Sequence, residues 1–168
     1  MSESLTVHNR ARSQRLNLVF LRRIIRCLLR ELLGADVREL GIYVVGEEEM
    51  TKLNETFLRH KGVTDVITFN YAEHPNRAPI QGEIFISIDE ARLQAKRFGA
   101  SWQQELVRYA LHGILHLLGY DDRRKADRLR MKRQENRLLK QLADAFCFEA
   151  LAVANAPATL NKRRMEGS

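Results

Sequence analysis

Two histidines stand four residues apart inside a stretch that is apolar on nearly every side, and this constrains the chain more than any other feature. From Trp102 to Leu118 the sequence carries Leu106, Val107, Tyr109, Ala110, Leu111, Ile114, Leu115, Leu117 and Leu118. A helix apolar all round belongs at the centre of a fold. His112 and His116 then lie on one face of that helix, a turn apart, with both rings cut off from bulk water. A histidine pair so placed is either hydrogen-bonded core or a pair of metal ligands, and a cation would satisfy both rings at once. The run continues HGILHLLGYDD, from His112 to Asp122. Gly119 suits the left-handed residue that ends a helix and turns the chain back. Asp122 can then return as a third ligand, leaving a coordination position open for water or substrate. The competing arrangement makes Asp122 a cap for the next helix and turns Asp121 inward.

The spacing HxxxHxxGxxD is that of the zincin helix and turn. A metallopeptidase of that kind has glutamate directly after the first histidine as its general base, and here that position is Gly113. Peptide hydrolysis lacks its usual proton acceptor.

The length of 168 residues fits one domain with a real core. We expect that domain over residues 1–150 and a flexible basic tail over 151–168. The net charge of +7 and a pI of about 9.8 point to an anionic partner. No apolar run reaches the ~18 residues of a membrane span. Arg22, Arg23, Arg26 and Arg30 interrupt the best candidate, Leu16 to Leu33. Leu16, Val19, Phe20, Ile24, Cys27 and Leu28 repeat there at core-facing spacing, which favours an amphipathic helix over a transit peptide. Cys27 and Cys147 read as reduced, buried thiols of a cytoplasmic protein.

Along the chain, the patterning predicts a helix from Ser13 to Leu33 after a polar start, and a strand from Arg38 to Val45. Gly46 and Glu47, Glu48 and Glu49 open a second helix carrying Met50, Leu53 and Phe57, followed by a polar loop from Leu58 to Gly62. Thr64 to Phe69 and Gly82 to Ser87 are strands, with a loop from Ala72 to Pro79 between them. A helix from Asp89 to Phe98 ends at Gly99, and Ser101 with Gln104 caps the histidine helix. A long basic helix follows from Arg123 to Phe148, with Leu129, Leu138, Leu142 and Phe146 marking its inner face. Together these elements make an α+β fold, a small mixed β-sheet packed with helices around a central metal-binding helix.

The run HGILHLLGYD, from His112 to Asp121, follows the strands TDVITF and GEIFIS in an order and spacing that resemble the YbeY family of bacterial metal-dependent endoribonucleases. The resemblance spans roughly Gly41 to Leu139. It implies a YbeY-type α+β fold and a zinc ion on three protein ligands. It also implies a single-strand-type endoribonuclease acting in rRNA maturation, at the 16S rRNA 3′ end, and in ribosome quality control in the cytoplasm. The RNA would be an rRNA precursor, and the ribosomal small subunit or its proteins would be partners. The chain departs from the family pattern at three places. Asp122 stands where most of the family has histidine; aspartate is an acceptable zinc ligand, though it also admits other divalent ions. The family arginine that follows an asparagine in the loop before TDV aligns with Leu58, counting from Asn54, and Arg59 stands next to it. Glu83 replaces an aspartate in the third strand and reads as structural.

The candidate site is therefore His112, His116 and Asp122 for metal, with Arg59 and His60 for catalysis. Arg59 would neutralise phosphate charge and His60 would protonate the leaving oxygen. Lys61, Arg124 and Arg128 would bind RNA. Arg123, Lys125, Arg130, Lys132, Arg133, Arg137 and Lys140 add charge along the same helix, which would attract a phosphate backbone without reading sequence. Aromatic side chains are sparse there, which suits duplex or structured RNA better than base-by-base reading of a single strand. The rival expectation is a non-catalytic ribosome-assembly or RNA-binding factor whose metal holds the fold.

Overall fold

The computed structural model describes residues 4–58, 64–74 and 79–154. Among these residues four strands, β1 (Ser4–Asn9), β2 (Val37–Val45), β3 (Val66–Asn70) and β4 (Ile80–Ser87), form one sheet in the order β1-β2-β4-β3. β1, β2 and β4 run parallel, with His8 beside Tyr43 and Ile42 beside Ile84. β3 joins the other edge of β4 antiparallel, with Thr68 beside Ile84. Among the described residues five α-helices accompany the sheet: α1 (Leu18–Arg26), α2 (Glu47–Leu53), α3 (Ile88–Phe98), α4 (Trp102–Leu117) and α5 (Lys125–Ala145). The α+β fold expected from the sequence is the one observed.

Period-two alternation divides the sheet into two faces. Leu40, Ile42 and Val44 of β2, with Ile84 and Ile86 of β4, join Leu21, Ile24, Ile25 and Leu28 and the apolar residues of α4 in the main core. Val45, Ile67 and Phe85 on the opposite face cluster with Met50 of α2. The histidine helix is thus clamped between β4 and α5, as its apolar circumference requires. Gly113 shows how closely. A Cβ there would stand 2.7 Å from Ile84 Cγ2, so the helix approaches β4 only because that side chain is missing.

Several boundaries differ from the sequence-based expectation. The polar start contains β1, which as an edge strand buries only Val7, too little to leave an alternating pattern. The first helix begins at Leu18, where the Asn17 side chain accepts from Phe20 N–H. The preceding residues stay extended because Leu16 pairs with Ala152 and Asn17 N–H donates to the Leu151 carbonyl. Past Arg26 the helix widens into a π-helical stretch, Cys27–Leu32. Its buried face is Leu21, Ile24, Ile25 and Leu28, and Val19 faces solvent. α2 likewise passes into a π-helical stretch, Asn54–Leu58, which takes in the start of the predicted loop and leaves Phe57 exposed.

α5 stops at Ala145, and a 3₁₀ turn, Phe148–Leu151, follows. Met131, Leu138, Leu139 and Leu142 form its inner face, whereas Leu129 is exposed. Cys147 lies outside the helix, is exposed, and donates to Glu149. Leu151 is fully buried, so the packed chain continues past residue 150. Among the described residues no helix is long and apolar enough to cross a membrane.

Candidate metal centre

The helix that carries the histidines is fixed at both ends by its own sequence. Ser101 Oγ accepts from Gln104 N–H at 3.1 Å and caps the N-terminus. At the other end Gly119 adopts φ 100°, a conformation costly for any residue with a Cβ. Gly119 N–H donates to the His116 carbonyl and Tyr120 N–H to the Leu115 carbonyl, each at 3.0 Å. This is the paired closure of a Schellman motif, and it sends the chain back over the last turn.

That reversal delivers Asp122 to the histidines. Its Oδ2 lies 3.5 Å from His116 Nε2 and 3.9 Å from His112 Nε2. The two Nε2 atoms are 3.0 Å apart, and one donor atom from each of the three residues falls within 4.8 Å of the others. Asp121 does not compete: its Oδ1 accepts from the backbone N–H groups of Asp122 and Arg123. Nor is Asp122 the helix cap, since Arg124 occupies the N-cap position of α5.

Each imidazole has its far nitrogen tied down. His116 Nδ1 donates to the Tyr120 carbonyl at 3.0 Å, and His112 Nδ1 donates to Glu135 Oε2 at 2.7 Å. With protons held on Nδ1, both Nε2 lone pairs face the shared point. Two lone pairs 3.0 Å apart repel unless a proton or a cation lies between them. The surroundings of His112 favour its protonated form. Burial pushes its pKa down, but the bond and charge of Glu135, with Asp65 and Asp122, hold it above the ordinary value. A metal would take the place of that proton, and the donor set of two imidazole nitrogens and a carboxylate oxygen fits a divalent ion.

Glu135, which the sequence reading missed, is only 5% exposed. Burial alone would raise its carboxyl, but His112, Lys132 and Arg108 bring it below its usual range. Arg108 reaches Glu135 Oε1 at 3.5 Å and Asn136 Oδ1 at 3.0 Å, closing a network behind the first histidine. The signal was present in the sequence. Glu135 is an acid at the inner-face spacing of α5, four residues after Met131 and three before Leu138.

A cavity of about 420 Å³ opens beside the ligands, its wall including His112, Asp122, Arg128, Lys132, Tyr109 and Asp65. Arg128 thus shares the cavity wall with His112 and Asp122, while Arg124, at the N-cap position of α5, is not among the residues lining it. Arg59, His60 and Lys61 lie outside the described residues. Glu83 accepts from the Tyr71 hydroxyl at 2.6 Å, in keeping with a structural part.

Comparison with known proteins gives the family and the fold. The family model described as Endoribonuclease YbeY matches residues 6–143. A Chlorobium phaeovibrioides protein named Endoribonuclease YbeY is 39% identical over 122 residues, covering 73% of this chain and 80% of its own length. A relative of the same name from Aquifex aeolicus is 36% identical over 115 residues, covering 68% of this chain and 77% of its own. A Thermotoga maritima protein solved in solution superimposes with a TM-score of 0.62 at 21% identity, over 92% of this chain and 99% of the other, and so shares the fold.

Proposed function

The chain belongs to the endoribonuclease YbeY family, and from that premise we propose that it is a zinc-dependent hydrolase cleaving phosphodiester bonds within ribosomal RNA precursors. One observation carries the reading. Two Nε2 atoms and one carboxylate oxygen converge at the edge of an open cavity, with each Nδ1 held by a separate acceptor. His112, His116 and Asp122 are the residues that would hold the ion. Bound zinc would supply Lewis acidity toward a phosphoryl oxygen and toward water. Arg128, lining the cavity, is suited to one phosphate oxygen of the RNA. Arg59 and His60 are proposed for the charge on the reacting phosphate and for the leaving oxygen, Lys61 and Arg124 for the flanking backbone. The ribosomal small subunit, in the cytoplasm, is the proposed setting.

The cavity favours an enzyme over a factor whose metal only holds the fold. A structural zinc site is ordinarily closed by four protein ligands, whereas here three converge among the described residues. The test is cleavage of an rRNA precursor by protein purified free of contaminating nuclease, beside His116→Ala handled identically. Cutting by the first and none by the second is expected. Equal cutting, or none by either, would overturn the proposal.

A further inference from the structure

Besides Asp122, the wall of the cavity beside the ligands carries three carboxylates: Glu105 and Glu135, both paired with Arg108, and Asp65, which no described cation pairs. Asp65 precedes β3, and its backbone is anchored where Ser87 N–H donates to its carbonyl at 2.9 Å. Its side chain is half committed. Oδ1 accepts from Val66 N–H at 2.8 Å and from the Thr64 hydroxyl at 3.4 Å, while Oδ2 has no partner among the described residues. Asp65 is not part of the cluster formed by His112, His116 and Asp122, yet it lines the same cavity. Its charge is felt at two other residues of that wall, His112 and Tyr109.

Hydrolysis of a phosphodiester requires somewhere for the proton of the attacking water to go. The position after the first histidine cannot provide it. Gly113 faces β4, and Ile84 fills the space that any side chain there would need. We propose that Asp65 is the general base of the reaction, a carboxylate of the same cavity wall standing in for the one that α4 has no room to carry. This rests on the nuclease reading above and adds a residue to it. As the water oxygen forms its bond to phosphorus, Oδ2 of Asp65 takes a water proton. The bond from phosphorus to one bridging ribose oxygen breaks, and that oxygen leaves as an alcohol after taking a proton from solvent. Asp65 then returns its proton to solvent, so one water is consumed for each bond opened.

The experiment compares wild type, Asp65→Asn and Asp65→Ala, all loaded with zinc and assayed on the same RNA. A rate loss of about a hundredfold or more is expected for both variants, with zinc stoichiometry and RNA affinity within about twofold of wild type. Added formate should recover part of the lost rate in Asp65→Ala, where a small acid can occupy the vacated space. Asp65→Asn cutting within about threefold of wild type would overturn the assignment while leaving the nuclease reading intact. Loss of zinc or of RNA binding in step with the rate, or no response to formate, would also overturn it in favour of a structural role. Wild-type protein that binds zinc but cuts nothing would instead overturn the nuclease reading itself, and this assignment with it.

Discussion

A buried carboxylate that holds a ligand's far nitrogen fixes both the ring's orientation and the tautomer it presents to a metal. Glu135 does this for His112 through the 2.7 Å bond. Glu135→Gln should therefore lower zinc affinity about 10- to 100-fold in a competitive chelator titration, with the fold retained. The same pair sets the pH response of the metal-free protein. The folded pKa of Glu135 is depressed, so its contribution is present above the ordinary carboxyl value of 4.5 and lost as pH falls through the lowered one. The folded pKa of His112 is raised, so its contribution is present below 6.5 and lost as pH rises through the raised one. Thermal melts of the apo protein should show the pair's stabilisation greatest between these two ordinary values, and Glu135→Gln should flatten that profile. At Gly113 the expectation is steric. Gly113→Glu should cost about 3 kcal/mol or more in denaturant unfolding, because it forces a charged side chain against Ile84, and it should confer no peptidase activity.

At the scale of elements, the site is one helix end and the turn that closes it. That much was legible in the sequence, because Ser101, the histidine spacing, Gly119 and Asp122 each have a local meaning independent of the rest of the fold. Glu135 and Asp65 were not legible in the same way. They reach the site from α5 and from the entrance to β3, and only the packing of those elements on α4 brings them there. The choice between Asp121 and Asp122 likewise depended on which carboxylate the turn's own N–H groups would capture. α5 also carries the basic face proposed for RNA. Reversal of Arg124 and Arg128 to glutamate should weaken RNA binding and reduce the slope of log affinity against log salt by roughly 0.7 per lost phosphate contact on a single strand. Arg128→Glu should account for most of the effect, since Arg128 lines the cavity. An unchanged slope would remove this face from the RNA path.

Across the whole molecule, the α+β class followed from strands and helices whose patterns were strong enough to read singly. What escaped was contributed by distant partners. The edge strand β1 is defined by its pairing with β2, and the start of α1 by Leu151 and Ala152 from the far end of the chain. The sheet presses β4 against α4, α5 covers the helix from the other side, and Asp122 returns over the gap between them. A molecule built this way should gain stability from the ion it holds. Zinc at a hundred times its dissociation constant should raise unfolding free energy by about 2.7 kcal/mol, and the gain should vanish in His116→Ala. The central claim is that these three side chains share one ion and leave it open to substrate. Zinc-edge X-ray absorption of the loaded protein tests it most directly. We predict two imidazole nitrogens at about 2.0–2.1 Å and oxygen ligands that include an exchangeable water. A first shell completed by four protein side chains, or one without a pair of imidazoles, would contradict it.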